Sequence, residues 1–181
     1  SAQVNDLMAR TILIPPPPPL NERLKELPRI AAQYKNNVNA PEMQDVLDTD
    51  SSPLYNAVIV AKGHPDIKGK IKNMLDSVKP AILAHKEHFS ALRPNQLAET
   101  IGLSFEFDYL DSAQTSSYPS GHATQAYYVA HVLSDMYPSL SEEFFIIAEM
   151  VSQSRIDRGV HFPSDIEAGK QLAAAIHGIV S

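Results

Sequence analysis

An all-α helical bundle is the fold class this sequence predicts, and three observations carry it. Apolar residues recur at steps of three and four over most of the chain, the mark of amphipathic helices. Strand-like alternation is scarce, and its best stretch, Asn56 to Val60, is weak. The 181 residues suffice for one domain with its own core, and the absence of cysteine excludes a disulfide scaffold, a thiolate metal site and thiol catalysis.

The elements follow in chain order. Pro15 to Pro19 lock φ and lack backbone donors, which predicts an extended polyproline II arm over residues 1–20, ahead of a single helical domain over residues 21–181. The arm reads as a rigid strap along its own domain in preference to a docking ligand for an SH3-like partner. Ile67, Ile71, Met74, Leu75, Val78, Ile82 and Leu83 predict one long amphipathic helix kinked at Pro80. A second helix runs from His122 through Tyr127, Tyr128, Ala130, Val132 and Leu133 to about Met136. A third carries Phe144, Phe145, Ile147, Ala148 and Val151, and Gly159 ends it as a left-handed cap. The last opens at Ser164, with Glu167 at capping-box spacing, and carries Leu172, Ile176 and Ile179.

Bulk charge narrows the function classes. A net charge of -6 argues against general nucleic-acid binding, so any anion site must be a local concentration of cations. No apolar run approaches the roughly 20 residues that cross a bilayer, and the chain reads as soluble, with a secretory signal either absent or removed ahead of Ser1.

Three segments supply chemistry. In the first, seven residues at 100° fall about 20° short of two turns, so a helix reaching Arg93 would set Lys86 and Arg93 on one face, with Pro94 ending it. In the second, Ser117 to His122 precede a helix whose N-terminal amides, with the Ser120 hydroxyl and the close approach allowed by Gly121, make an anion cradle facing His122. In the third, Arg155 ends one helix, His161 lies in the turn and Asp165 begins the next helix. A carboxylate on one imidazole nitrogen fixes the tautomer and leaves the other nitrogen's lone pair available to attack.

Each segment alone has a plainer reading: a solvated pair of cations, an ordinary capping loop, a packed histidine beside a helix cap. Jointly they supply what phosphoryl transfer requires: donors for the equatorial oxygens, a nucleophile in line and an acid for the leaving oxygen.

The pattern Lys86, Arg93-Pro94, then Pro119 to His122, then Ser154-Arg155, His161 and Asp165 resembles the three-part signature of the type 2 phosphatidic acid phosphatase (PAP2) superfamily, which also holds class A acid phosphatases and vanadium haloperoxidases. The resemblance spans Lys86 to Asp165. It implies a helical phosphatase of the acid phosphatase and haloperoxidase type that hydrolyses phosphate monoesters without a metal. Lys86, Arg93, Ser120, the Gly121 amide and Arg155 would hold the phosphate. His161 would be the nucleophile that forms a phosphohistidine, oriented by Asp165, and His122 the general acid and then base. No cofactor is implied, and vanadate would inhibit as a transition-state mimic. The partner would be a small phosphorylated substrate, and a homo-oligomer stays open.

Leu13 to Pro19 and the Ser117 to His122 hexapeptide look most like the soluble class A enzymes, which implies a periplasmic or secreted setting. Phe162-Pro163 stands where those enzymes often carry an aromatic-Gln pair, and is closer to the lipid phosphatase branch, whose membrane helices are missing here. Two other functions share the residues: a vanadate-dependent haloperoxidase, and a non-catalytic phosphoanion-binding protein. A bell-shaped pH dependence is expected from neutral His161 and protonated His122.

His64, His85, His88, His131 and His177 lie outside the signature and read as surface or packed histidines. No metal-site spacing is present; Asp45, Asp48 and Asp50 resemble a calcium cluster only faintly, without the glycine and closing glutamate of an EF-hand loop.

Overall fold

A computed structural model describes Asp6, Met8 and residues 10–181; the first part of the expected arm, residues 1–5, 7 and 9, lies outside the described residues. Among the described residues the regular structure is helical. We number the main helices α1 (Leu20–Lys35), α2 (Pro41–Thr49), α3 (Ser52–Ala61), α4 (Lys68–Ser77), α5 (Lys79–Phe89), α6 (Pro94–Thr100), α7 (Gly121–Met136), α8 (Ser141–Asp157) and α9 (Pro163–Val180). None of the described helices is long and apolar enough to cross a membrane.

Helix α7 is the centre, packed chiefly between α8 and α9. Its buried face repeats Ala123, Ala126, Val129, Ala130 and Leu133 at helical spacing. The alanines let neighbours approach closely. Gly169 of α9 takes this furthest: a Cβ there would lie 2.8 Å from the Ala123 Cβ and 2.9 Å from the Ser120 carbonyl oxygen. Leu133 joins Tyr55, Ile59, Ile71 and Phe144 in the largest apolar cluster, beneath α3, α4 and α8. A second cluster, with Val78, Ile82, Tyr118 and Leu172, lies between α5 and α9. A third, with Leu27, Ile30, Leu97, Ile156 and Phe162, gathers α1, α6, α8 and α9. The third cluster holds the first turn of α7 at Ala123, and the largest holds the rest of its buried face from Ala126 to Leu133.

The proline segment lies along this body. Ile14 is buried, the Leu13 amide donates to His85 Nε2 (2.9 Å), and the Tyr118 hydroxyl donates to the Pro15 carbonyl (2.7 Å).

Several local expectations are corrected. Asn56 to Val60 lies within α3, because its alternation is too short to compete with a neighbouring helical face. The single helix kinked at Pro80 is two helices divided at Val78; Pro80 sits in the first turn of α5, where a missing N–H costs nothing. Helix α5 stops at Phe89, with Ser90 left-handed at φ 48°, so Lys86 and Arg93 do not share a helix. Pro94 opens α6, and Arg93 is its N-cap residue. Helix α9 begins at Pro163, and its first turn is capped by Asp165, which accepts the Phe162 amide at 2.9 Å; Ser164 and Glu167 form no capping box. The Ser164 amide and hydroxyl turn instead to Glu26 (2.9 and 2.8 Å). The end of α8 follows the expectation: Gly159 follows it at φ +77°.

Candidate active site

Five of the eight candidate residues, Lys86, Arg93, Gly121, His122 and His161, line one cavity of about 180 Å³. Ser120, Arg155 and Asp165 are fully buried beside them.

His161 is fixed from both ring nitrogens. Nδ1 lies 2.9 Å from Asp165 Oδ2 and Nε2 lies 3.1 Å from Arg93 Nη1. A guanidinium only donates, so Nε2 accepts and the hydrogen sits on Nδ1. Burial, then the charges of Arg93 and Lys86, hold the His161 pKa well below 6.5, so the ring is neutral.

Asp165 is surrounded by donors. Besides His161 it accepts from the Phe162 amide, the Ser117 hydroxyl and Arg23 Nη1, the last at 3.3 Å. Burial pushes its pKa up, and Arg23, Ser117 and the Phe162 amide pull it back. The set of donors suits a carboxylate acceptor. Arg23 comes from α1, stacks 4.1 Å over the Phe162 ring and donates Nη2 to the Leu92 carbonyl (2.9 Å), so one side chain ties three segments together.

The cations are held by carbonyls rather than by a surplus of carboxylates. Lys86 Nζ donates to the Ser116 carbonyl (2.6 Å); Arg93 donates to the carbonyls of Thr115 (2.8 Å) and Val160 (2.9 Å). Burial and the Arg93 charge push Lys86 down to about 7; burial and Arg155 push Arg93 down to about 10. Positive charge is therefore in excess at the cavity wall, a setting that favours an anion.

His122 donates from Nε2 to the Asp48 carbonyl at 2.8 Å. A carbonyl only accepts, so Nε2 keeps its hydrogen in both charge states and Nδ1 is the nitrogen that gains and loses a proton. Burial and Arg155 lower the His122 pKa, against the opposing pull of Asp48. Asp48 also receives Arg155 Nη1 at 2.6 Å. Burial works to raise the Asp48 pKa, but the hydrogen bonds from His122 and Ser112 and the Arg155 charge outweigh it, so the carboxyl is held well below its usual range.

Ser120 is buried at the N-terminus of α7, beside the residues that line the cavity. Its Oγ accepts the Ala123 amide (3.2 Å) and its carbonyl accepts the Thr124 amide (3.1 Å), an N-cap role. The amides of Gly121 and His122, in the first turn, have no intrahelical acceptor. Gly121 allows the approach to α5: a Cβ there would meet Ile82 Cγ2 at 3.3 Å. Arg155 Nε is buried and has no hydrogen-bond partner among the described residues.

Three contributors escaped the sequence reading: Arg23, Asp48 and Ser117 in its contact with Asp165. Ser117 lay inside a recognised segment, and Asp48 stood in an acidic stretch weighed only as a faint calcium cluster; nothing local marked Arg23. The histidines outside the signature take packing roles: His85 bonds the Ala81 carbonyl (2.7 Å), His131 stacks on His177 and His64 lies against Tyr137.

Comparison with known proteins gives one family. The model for the PAP2 superfamily matches residues 73–181. A non-specific acid phosphatase of Salmonella typhimurium is 31% identical over 124 residues, covering 68% of this chain and 49% of that protein, so the chain spans about half the length of that relative. A non-specific acid phosphatase of Providencia stuartii is 25% identical over 174 residues, 90% of this chain and 70% of that protein. The crystal structure of a transmembrane PAP2 type phosphatidylglycerolphosphate phosphatase from Bacillus subtilis superposes with a TM-score of 0.56 at 19% identity, covering 99% of this chain and 91% of that one. This last likeness is one of fold.

Proposed function

The chain belongs to the PAP2 superfamily, and from that premise we propose that it hydrolyses phosphate monoesters through a phosphohistidine on His161. The observation that carries the reading is His161 itself: neutral, its hydrogen pinned on Nδ1 by Asp165, its Nε2 lone pair turned to the cavity residue Arg93. The likeness to bacterial non-specific acid phosphatases supports the same chemistry.

Phosphate oxygens would take donors from Lys86, Arg93, the first-turn amides of α7 and the unpartnered Arg155 Nε. Arg93 Nη1 transfers its hydrogen bond from Nε2 to the anion, which exposes the nucleophile. Nε2 then bonds to phosphorus as the ester P–O bond breaks, and the Nδ1 proton of His122 passes to the departing alkoxide. Asp165 offsets the positive charge of the phosphorylated ring. In the second half His122, now neutral, takes a proton from water; the water oxygen bonds to phosphorus, the N–P bond breaks, and inorganic phosphate and free His161 return. No step draws on a metal or cofactor, and vanadate, which takes a five-coordinate geometry, should inhibit. By the same likeness the setting is periplasmic or secreted.

The test is turnover of p-nitrophenyl phosphate with EDTA and with vanadate. Expected are activity that survives the chelator, inhibition by vanadate and, on rapid quenching, an acid-labile phosphoryl adduct that His161→Ala abolishes. Full activity in His161→Ala would overturn the assignment.

A further inference from the structure

A second cavity, of about 260 Å³, adjoins the first. The two share Lys79, Ser112, His122 and Gln125, whereas His161 lines only the first. In an in-line displacement the leaving oxygen lies opposite the attacking nitrogen. An ester held by the first cavity with His161 behind its phosphorus therefore directs its leaving oxygen away from His161, to His122, and its carbon skeleton past His122 into the second cavity.

The lining says what that skeleton is. Charges in and behind it balance: Asp76 Oδ1 pairs with Lys79 Nζ at 3.0 Å, Asp48 Oδ1 pairs with Arg155 Nη1 at 2.6 Å, and Asp50 has Lys72 as its strongest cationic neighbour. There is no surplus cation for a second phosphate and no surplus carboxylate for an ammonium group. Apolar surface makes up about half of the lining but is small in extent, because Leu47, Leu75 and Val151 are 5%, 8% and 2% exposed and offer too little surface to cover an acyl chain. The volume also falls below the roughly 300 to 1,000 Å³ of pockets that enclose drug-sized ligands. Carboxylates beside ammonium groups in a small, charge-balanced cavity suit hydroxyl groups, which both donate and accept.

We propose that this second cavity is the leaving-group subsite and that it takes an uncharged, hydroxyl-rich alcohol of monosaccharide size, recognised by Asp50, Lys72 and Asp76. The proposal rests on the phosphatase reading and adds the substrate class: sugar or polyol monophosphates rather than lipid phosphates or bisphosphates.

The experiment compares kcat/KM for a hexose 6-phosphate, a hexose bisphosphate, a short-chain phosphatidic acid and p-nitrophenyl phosphate, in the parent chain and in Asp50→Asn and Lys72→Met. Lys72 is exposed, so its variant should fold. The parent should prefer the hexose monophosphate to the bisphosphate and the lipid. Each variant should lose about tenfold on the hexose monophosphate, the effect of one hydrogen bond to a charged group, with far less change on p-nitrophenyl phosphate. Equal change on both esters, or preference of the parent for the lipid or bisphosphate, overturns the subsite while leaving the phosphatase reading intact. Failure of the parent to cleave any ester overturns both.

Discussion

Arg93 Nη1 donates to His161 Nε2 at 3.1 Å, so the residue placed to bind the substrate also covers the lone pair that attacks it. Binding an anion and uncovering the nucleophile become one event. Arg93→Met should lower kcat/KM by about 100-fold or more, as loss of a charged donor to the transition state does. Arg93→Lys should recover only part, since an ammonium lacks the planar fork that reaches Thr115, Val160 and the anion together. Steady-state kinetics on p-nitrophenyl phosphate check both.

The pH dependence follows from His122, which must carry its Nδ1 proton to release the alcohol. Its pKa lies below 6.5, so kcat/KM should fall as pH rises through a value under 6.5. His161 is depressed further, which puts any loss from its protonation well to the acid side. Asp48 favours the charged form of His122, so Asp48→Asn should move the alkaline limb to lower pH. A limb that moves upward would contradict the pairing.

Stability should respond to pH in a defined sense. The folded pKa of His161 is lower than its unfolded value of 6.5, so the unfolded chain binds more protons below that pH. The stability tied to a neutral His161 is therefore present above 6.5 and is lost as pH falls below it. Asp165, whose pKa burial raises, acts in the opposite sense, so the informative comparison is between chains. His161→Gln should show a smaller fall in Tm between pH 7 and pH 5 than the parent does.

Arg23 should matter despite its distance in sequence. Arg23→Met removes the buried cationic partner of Asp165 and leaves the carboxylate with neutral donors alone, a change that typically costs about 3–5 kcal/mol. Urea unfolding should show the loss. Arg23→Lys, which keeps the charge, should retain more of both stability and turnover.

Gly169 sets the distance between α9 and the first turn of α7. Gly169→Ala forces contacts of 2.8 Å and 2.9 Å apart, and should cost about 1–3 kcal/mol with reduced activity. Gly178→Ala, in the same helix with nothing within 4 Å, should instead gain up to about 1 kcal/mol. Thermal unfolding of the pair separates close packing from helix propensity.

The primary sequence by itself determined the helical class and the segments that supply Lys86, Arg93, Gly121, His122 and His161, because periodicity and motif spacing are local. It also placed Arg155, His161 and Asp165 correctly at a helix end, a turn and a helix start. Tertiary structure decided the rest. Ser90 broke the helix that would have joined Lys86 to Arg93, and the Ser120 Oγ became the N-cap acceptor of α7. Asp48 reached Arg155 across 107 residues, and Arg23 reached Asp165 across 142. Such pairings leave no mark in local spacing: a buried charge takes whichever partner the packing of helices brings within a few ångströms.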